Sequence, residues 1–313
     1  MSHPHCQLND PTPEFSREMR RLAWSGWQLR VPDNWRPVKL EGNFTKGAMF
    51  IGDEASPYLM LRWWRPLLEG QKKFDFEEWL ESRFKKLHAL PHPHPPTSPD
   101  MDHTAWVKDL QKKHKKSRTV WYGYKASAET VIEILMTSLT PSEIQEKIVR
   151  NVIPTLEIAA KGDPIPWDLF TASFLSPPNF ILDTHRLYSG DVALRLVKDR
   201  ETLTLRMVYP AGLALSRRKL ANWLDSSPFL ERRKNRAATQ QDWSSGSIKG
   251  IQRRGWKRLP FPLGGINPKY STIIAVVDEQ LDRLLIAEHR TPKPEDPFLT
   301  QQAVQQMNWD YVT

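Results

Sequence analysis

The chain repeats its own phrasing at long range, and this restricts the folds open to it. Leu29-Arg30-Val31-Pro32-Asp33-Asn34-Trp35 has an echo in Phe174-Leu175-Ser176-Pro177-Pro178-Asn179-Phe180. Leu61-Arg62 with Pro66 corresponds to Leu205-Arg206 with Pro210, and Trp79-Leu80 to Trp223-Leu224, all at offsets of 144 or 145. A solenoid unit is about 20–50 residues long, so a repeat of this length is a whole domain. The reading is two copies of one fold in tandem: an arm over 1–22, a first repeat over 23–160 and a second over 161–313. With 313 residues, two domains each with its own core are expected.

Local patterning gives both copies the same plan. Strands are predicted over 27–31, 48–51, 58–64, 119–124 and 130–139 in the first copy. In the second they are predicted over 170–176, 192–197, 203–209, 272–277 and 281–287. Leu203, Leu205, Met207 and Tyr209 alternate onto one face. A helix is predicted over 76–87, with Asp75 as N-cap and Phe76, Trp79, Leu80, Phe84 and Leu87 on one face. Thr140-Pro141 with Glu143 predicts a capped second helix burying Ile144, Ile148 and Val152. Ser216 is read as the cap of a short helix carrying Leu220, Trp223 and Leu224. A last helix includes Ala303, Val304 and Met307. The proline-rich stretch 91–102 reads as a linker. Mostly antiparallel strands with helices laid against the sheets define an α+β class with two sheet-plus-helix sandwiches.

The opening Trp27-Gln28-Leu29-Arg30-Val31-Pro32-Asp33-Asn34-Trp35 resembles the start of PsbP-like domains, in which a strand runs into Pro, a short polar step and Trp. That superfamily includes an extrinsic photosystem II subunit, a Ran-binding nuclear-transport factor and bacterial secretion-effector chaperones. The resemblance covers roughly 23–157 and 168–309. It implies an α/β sandwich used for protein binding, with no catalytic residues to carry over. The long proline-rich and basic insertions depart from the family pattern.

Charge is the second signal. The chain carries a formal +9, and residues 217–258 hold twelve lysines and arginines against Asp225, Glu231 and Asp242, a local excess equal to the whole surplus. The first copy has a basic stretch at the corresponding place: Lys112, Lys113, Lys115, Lys116 and Arg118. The predicted partner surface comprises these with Arg232, Arg233, Lys234, Arg236, Arg253, Arg254, Lys257 and Arg258, with Trp243 and Trp256 as aromatic anchors. Such clusters neutralise phosphates and give salt-sensitive nucleic-acid binding, with tryptophans as stacking surfaces. They serve equally as a docking strip for an acidic protein, or as solvated loops.

Other candidates point to chemistry less directly. His88, His92, His94 and His103 with Asp100 and Asp102, and the trio His3, His5 and Cys6, have metal-ligating side chains without helical or hairpin spacing. Gly264-Gly265 lacks the Gly-Lys-Ser/Thr ending of a phosphate loop, and Ser244-Ser245-Gly246-Ser247 reads as a flexible connector. Glu288-His289 are strand neighbours that point to opposite faces. No Ser/His/Asp set, Walker motif or carboxylate pair is evident, so the expectation is binding without catalysis, cofactor or metal. With mean hydropathy −0.57, one cysteine and neither a long apolar run nor a signal-peptide pattern at Met1, a cytoplasmic protein with no membrane span is expected. The functional expectation is an adaptor or structural subunit of a larger complex, an internal pseudo-dimer with a protein partner. A nucleic-acid-binding subunit and an effector chaperone are the alternatives.

Overall fold

The computed structural model describes residues 18–87, 90–91, 96–111, 116–136, 140–169, 172–226, 236–245, 248–257, 269–293, 298–305 and 307. It is a sheet-rich α+β fold in which every strand pairing is antiparallel. β1 (Met19–Trp24) and β2 (Trp27–Pro32) form a hairpin across Ser25-Gly26. β3 (Arg36–Gly42), β4 (Lys46–Gly52), β5 (Pro57–Trp64), β6 (Leu90–Pro91), β7 (His103–Gln111), β8 (Lys116–Lys125) and β9 (Thr130–Met136) follow. They form a seven-stranded sheet in the order β3-β4-β5-β9-β8-β7-β6.

After β10 (Glu157–Ile158) come β11 (Ile165–Leu169), β12 (Ala172–Ser176), β13 (Ile181–Tyr188), β14 (Asp191–Lys198), β15 (Glu201–Val208), β16 (Arg236–Ser245), β17 (Ile248–Lys257), β18 (Lys269–Asp278) and β19 (Arg283–Thr291). The second seven-stranded sheet runs β13-β14-β15-β19-β18-β17-β16, the same order as the first. A five-stranded sheet, β10-β2-β1-β11-β12, joins the halves.

That central sheet corrects the expectation of separate cores. Ala23 of β1 pairs with Asp168 of β11, and the Trp24 and Trp167 rings meet edge-to-face at 5.1 Å. One apolar cluster runs from Trp27 and Trp63 through Trp167 to Leu205, Ile274 and Leu285. It also takes in Ile144, Ile148 and Val152, from α2 (Ser142–Lys147) and its π-turn extension Ile148–Val152. β1 begins within the stretch read as an arm, where its Leu22 is buried, and runs on into the buried Ala23 and Trp24 of the first repeat.

The outer faces carry smaller clusters. α1 (Phe76–Leu87) opens where Asp75 accepts the Glu78 backbone N–H at 3.1 Å, and it buries Phe76 and Leu80 against Met60, Val107, Val120 and Val131. α3 (Ala211–Leu215) and α4 (Leu220–Ser226) cover Ala275, Leu284 and Ile286 on the second sheet. α5 (Phe298–Gln305) and the residues after it place Ala303, Val304 and Met307 in the shared core.

Both expected hydroxyl caps are corrected. Thr140 Oγ1 donates to the Tyr58 carbonyl at 2.5 Å, and α2 starts after Pro141 without a side-chain cap. Ser216 closes α3 instead of opening α4, donating to the Leu213 carbonyl at 2.9 Å. Tyr209 is another correction: β15 ends at Val208, and the ring is 50 % exposed rather than aligned with Leu203, Leu205 and Met207. Among the described residues, no helix is long and apolar enough to cross a membrane.

Candidate functional site

Much of the segment read as a basic insertion is sheet. The register sets Arg236 opposite Trp256 and Lys257 opposite Lys269, so these four positions gather at one end of the second sheet. In the first sheet, Lys116 pairs with Gln111 and Arg118 with Asp109 at the corresponding β7–β8 end. Lys112, Lys113, Lys115, Arg232, Arg233, Lys234 and Arg258 lie outside the described residues, as do His3, His5, Cys6, His88, His92, His94, Gly264 and Gly265.

Two residues of the predicted partner surface have other duties. Trp243 is buried in the shared core, because β16 turns it inward opposite Gly250, so it offers no exposed stacking surface. Arg253 donates to Gln240 Oε1 at 2.8 Å, Asp225 Oδ1 at 2.7 Å and the Ala221 carbonyl at 2.9 Å, which ties α4 to the sheet. Arg254, the next residue along β17, is exposed.

The candidate metal and acid–base residues are dispersed. Asp100 binds Lys125 at 2.5 Å and the Ile158 backbone N–H at 2.6 Å, and Asp102 accepts the Ala126 N–H at 2.7 Å. His103 sits 3.2 Å from Glu77. Among the described residues, no three His, Cys, Asp or Glu side chains converge as a metal site. Glu288 and His289 are both buried on opposite faces: Glu288 accepts from Arg290 at 2.6 Å, while His289 Nε2 lies 3.2 Å from Glu201. Ser245 ends β16, where its Oγ accepts from Gln305 at 3.0 Å.

Two features escape the sequence reading. β3 and β13 each form one edge of a seven-stranded sheet, with β6 and β16 at the opposite edges, and they face each other across a groove of about 490 Å³. Residues 37–40 line one wall and 185–188 the other, with Val38 and Tyr188 exposed. Each strand has a sheet partner on one side only, which leaves a row of outward backbone donors and acceptors. Neither strand alternates cleanly enough to announce itself.

The second is a cleft of about 200 Å³ where the halves meet, lined by the β1–β2 turn, the end of β5, the turn before β9 and the segment joining β10 to β11. Arg65 enters it just beyond β5. Arg65 is 5 % exposed and donates to the carbonyls of Ser25 and Phe44, with its guanidinium 4.1 Å over the Phe44 ring. Burial pulls its pKa down to about 10. Gly26 lets the turn approach: its φ is +86°, and a Cβ there would meet Arg65 Nη2 at 3.1 Å.

No protein-family model matches this chain, and no curated protein matches it in sequence.

Proposed function

We propose that the chain is a non-catalytic adaptor that holds an extended segment of a protein partner between β3 and β13. The observation that carries this reading is the facing pair of bare sheet edges. A peptide strand laid there gains main-chain hydrogen bonds from either edge, and its alternate side chains meet Val38 and Tyr188. The basic ends at Lys116 and at Arg236, Trp256 and Lys257 supply long-range attraction for an acidic partner. The inward place of Trp243 and the internal pairing of Arg253 leave fewer stacking and phosphate contacts for nucleic acid.

The two halves are in this reading duplicated PsbP-like domains fused into a pseudo-dimer, with β3 and β13 as equivalent strands. The matching strand orders and the 144–145 offset support it. The single cysteine supports a cytoplasmic, reducing setting.

The test is capture from native cell extract by the wild type, by Val38→Asp with Tyr188→Asp, and by charge reversal of Arg254, Lys257 and Arg258. Loss of the captured protein in the edge double variant is expected, together with slowed amide exchange in β3 and β13 of the wild-type complex. Capture that survives the edge variant but disappears on charge reversal would move the site to the basic ends. Release of the captured material by nuclease would replace the protein partner with nucleic acid.

A further inference from the structure

We propose that the Arg65 cleft binds a small monocarboxylate carried on a compact apolar body. A guanidinium has five N–H donors, and here two are taken, by the carbonyls of Ser25 and Phe44. Among the described residues no carboxylate lies within ion-pair distance of Arg65, although the side chain is almost wholly buried. A charge held out of water needs an opposite charge, and Arg presents a planar fork that fits a carboxylate with two parallel bonds.

The lowered pKa of Arg65 agrees with a cation held without its counter-ion. The other charges of the cleft are already engaged. Glu129 lies 3.7 Å from Lys161, and Asp163 Oδ2 accepts the Ala160 backbone N–H at 3.0 Å. Arg65 is therefore the cleft cation that, among the described residues, has no carboxylate within ion-pair distance, and a single carboxylate laid against its fork would supply one. A phosphate dianion would bring excess negative charge beside Glu129 and Asp163.

The walls set the rest of the ligand. Leu68 and Ile181 are exposed at the cleft, and the Phe44 ring and Ile165 extend the apolar surface. A volume of about 200 Å³ lies between the ~150 Å³ that accepts benzene and the roughly 300 Å³ at which drug-sized pockets begin. An aromatic or short-chain acid fits that range. The arginine has no counterpart in the second half, because the residue 144 positions after Arg65 is the half-exposed Tyr209.

The experiment is calorimetric titration of the full chain with benzoate and hexanoate, set against benzyl alcohol, hexanol and inorganic phosphate. Two variants accompany it: Arg65→Gln, and Leu68→Glu, which adds a negative charge at an exposed wall without touching the Arg65 bonds. The expected result is carboxylate binding about tenfold or more tighter than the matching alcohol, lost in both variants while Leu68→Glu keeps the wild-type unfolding midpoint. If the alcohols or phosphate bind as tightly, if no carboxylate binds, or if Leu68→Glu leaves binding unchanged, the proposal is overturned. Should Arg65→Gln fail to fold, the Leu68→Glu comparison decides alone.

Discussion

Arg62 and Arg206 hold corresponding places on the outward faces of β5 and β15, and their surroundings differ sharply. Arg62 is 44 % exposed and 3.5 Å from Glu133, its cross-strand neighbour on β9. With Trp79 it lines an open cleft of about 460 Å³. Arg206 is 3 % exposed, gives 2.8 Å bonds from Nε and Nη2 to the two oxygens of Asp191, and lies 5.1 Å over the Trp223 ring of α4. The register shows what changed. Lys46 faces Trp64 in the first sheet, whereas Asp191 faces Val208 in the second; Glu133 faces Arg62, whereas Ile286 faces Arg206. The acid has moved from one neighbouring strand to the other. There it offers a bidentate pair that lets the arginine lie under the helix. The strand order is common to both sheets; two side-chain identities decide whether the charge is solvated or covered.

The largest effect should come from breaking the covered pair. Asp191→Ala leaves Arg206 buried without its carboxylate, and also strips Arg186 of the same partner. A loss of about 3–5 kcal/mol is expected, read as a lower midpoint in urea unfolding. Adding Arg206→Met should recover part of it, since the apolar chain can lie beneath Trp223. A loss under about 1 kcal/mol would rank the pair with ordinary surface bridges and end the contrast with Arg62.

A second difference lies on the facing edge strands. Leu40 and His185 occupy corresponding positions of β3 and β13. Leu40 packs against the shared core, while the His185 ring stands edge-on to Trp24 at 5.3 Å. Burial lowers the His185 pKa from its usual 6.5. The unfolded chain therefore takes up this proton at a higher pH than the folded one. The stability due to His185 is present above pH about 6.5 and is lost as pH falls through the lower folded value. His185→Leu, which copies the first half, should flatten that part of the stability–pH curve. An unchanged slope would assign the acid sensitivity to other groups.

How legible each part was depended on whether its cause is local. The bounds of α1 are legible because Asp75 and five apolar residues at helical spacing lie within one short segment. The β14–β15 hairpin was clear from alternating Leu203, Leu205 and Met207. β3 and β13 carry little sequence signal because edge strands expose both faces, and polar β16 and β17 read as a basic insertion because charge hides their inward Trp243 and Gln252. The Arg65 cleft had no sequence signal at all: its acceptors, Phe44 and Ser25, are 21 and 40 positions away. Nothing in Leu-Arg-Trp-Trp-Arg distinguishes the buried second arginine from the solvated first. Burial there is a product of three chain segments meeting.

The smallest expected effect belongs to the open pair. Glu133 lies 3.5 Å from Arg62 and 3.6 Å from Arg83 of α1, so it links that helix to the sheet. Arg62 is 44 % and Arg83 38 % exposed, so water can replace much of the carboxylate's contact when it is removed. Glu133→Ala should therefore cost about 0.5–1 kcal/mol, and added salt should shrink the difference as the charges are screened. Urea unfolding at low and high salt measures both quantities. A loss as large as that of Asp191→Ala would mean that cross-strand register, rather than burial under Trp223, sets the worth of these arginines. The small salt-sensitive loss would leave burial as the term that separates the two halves.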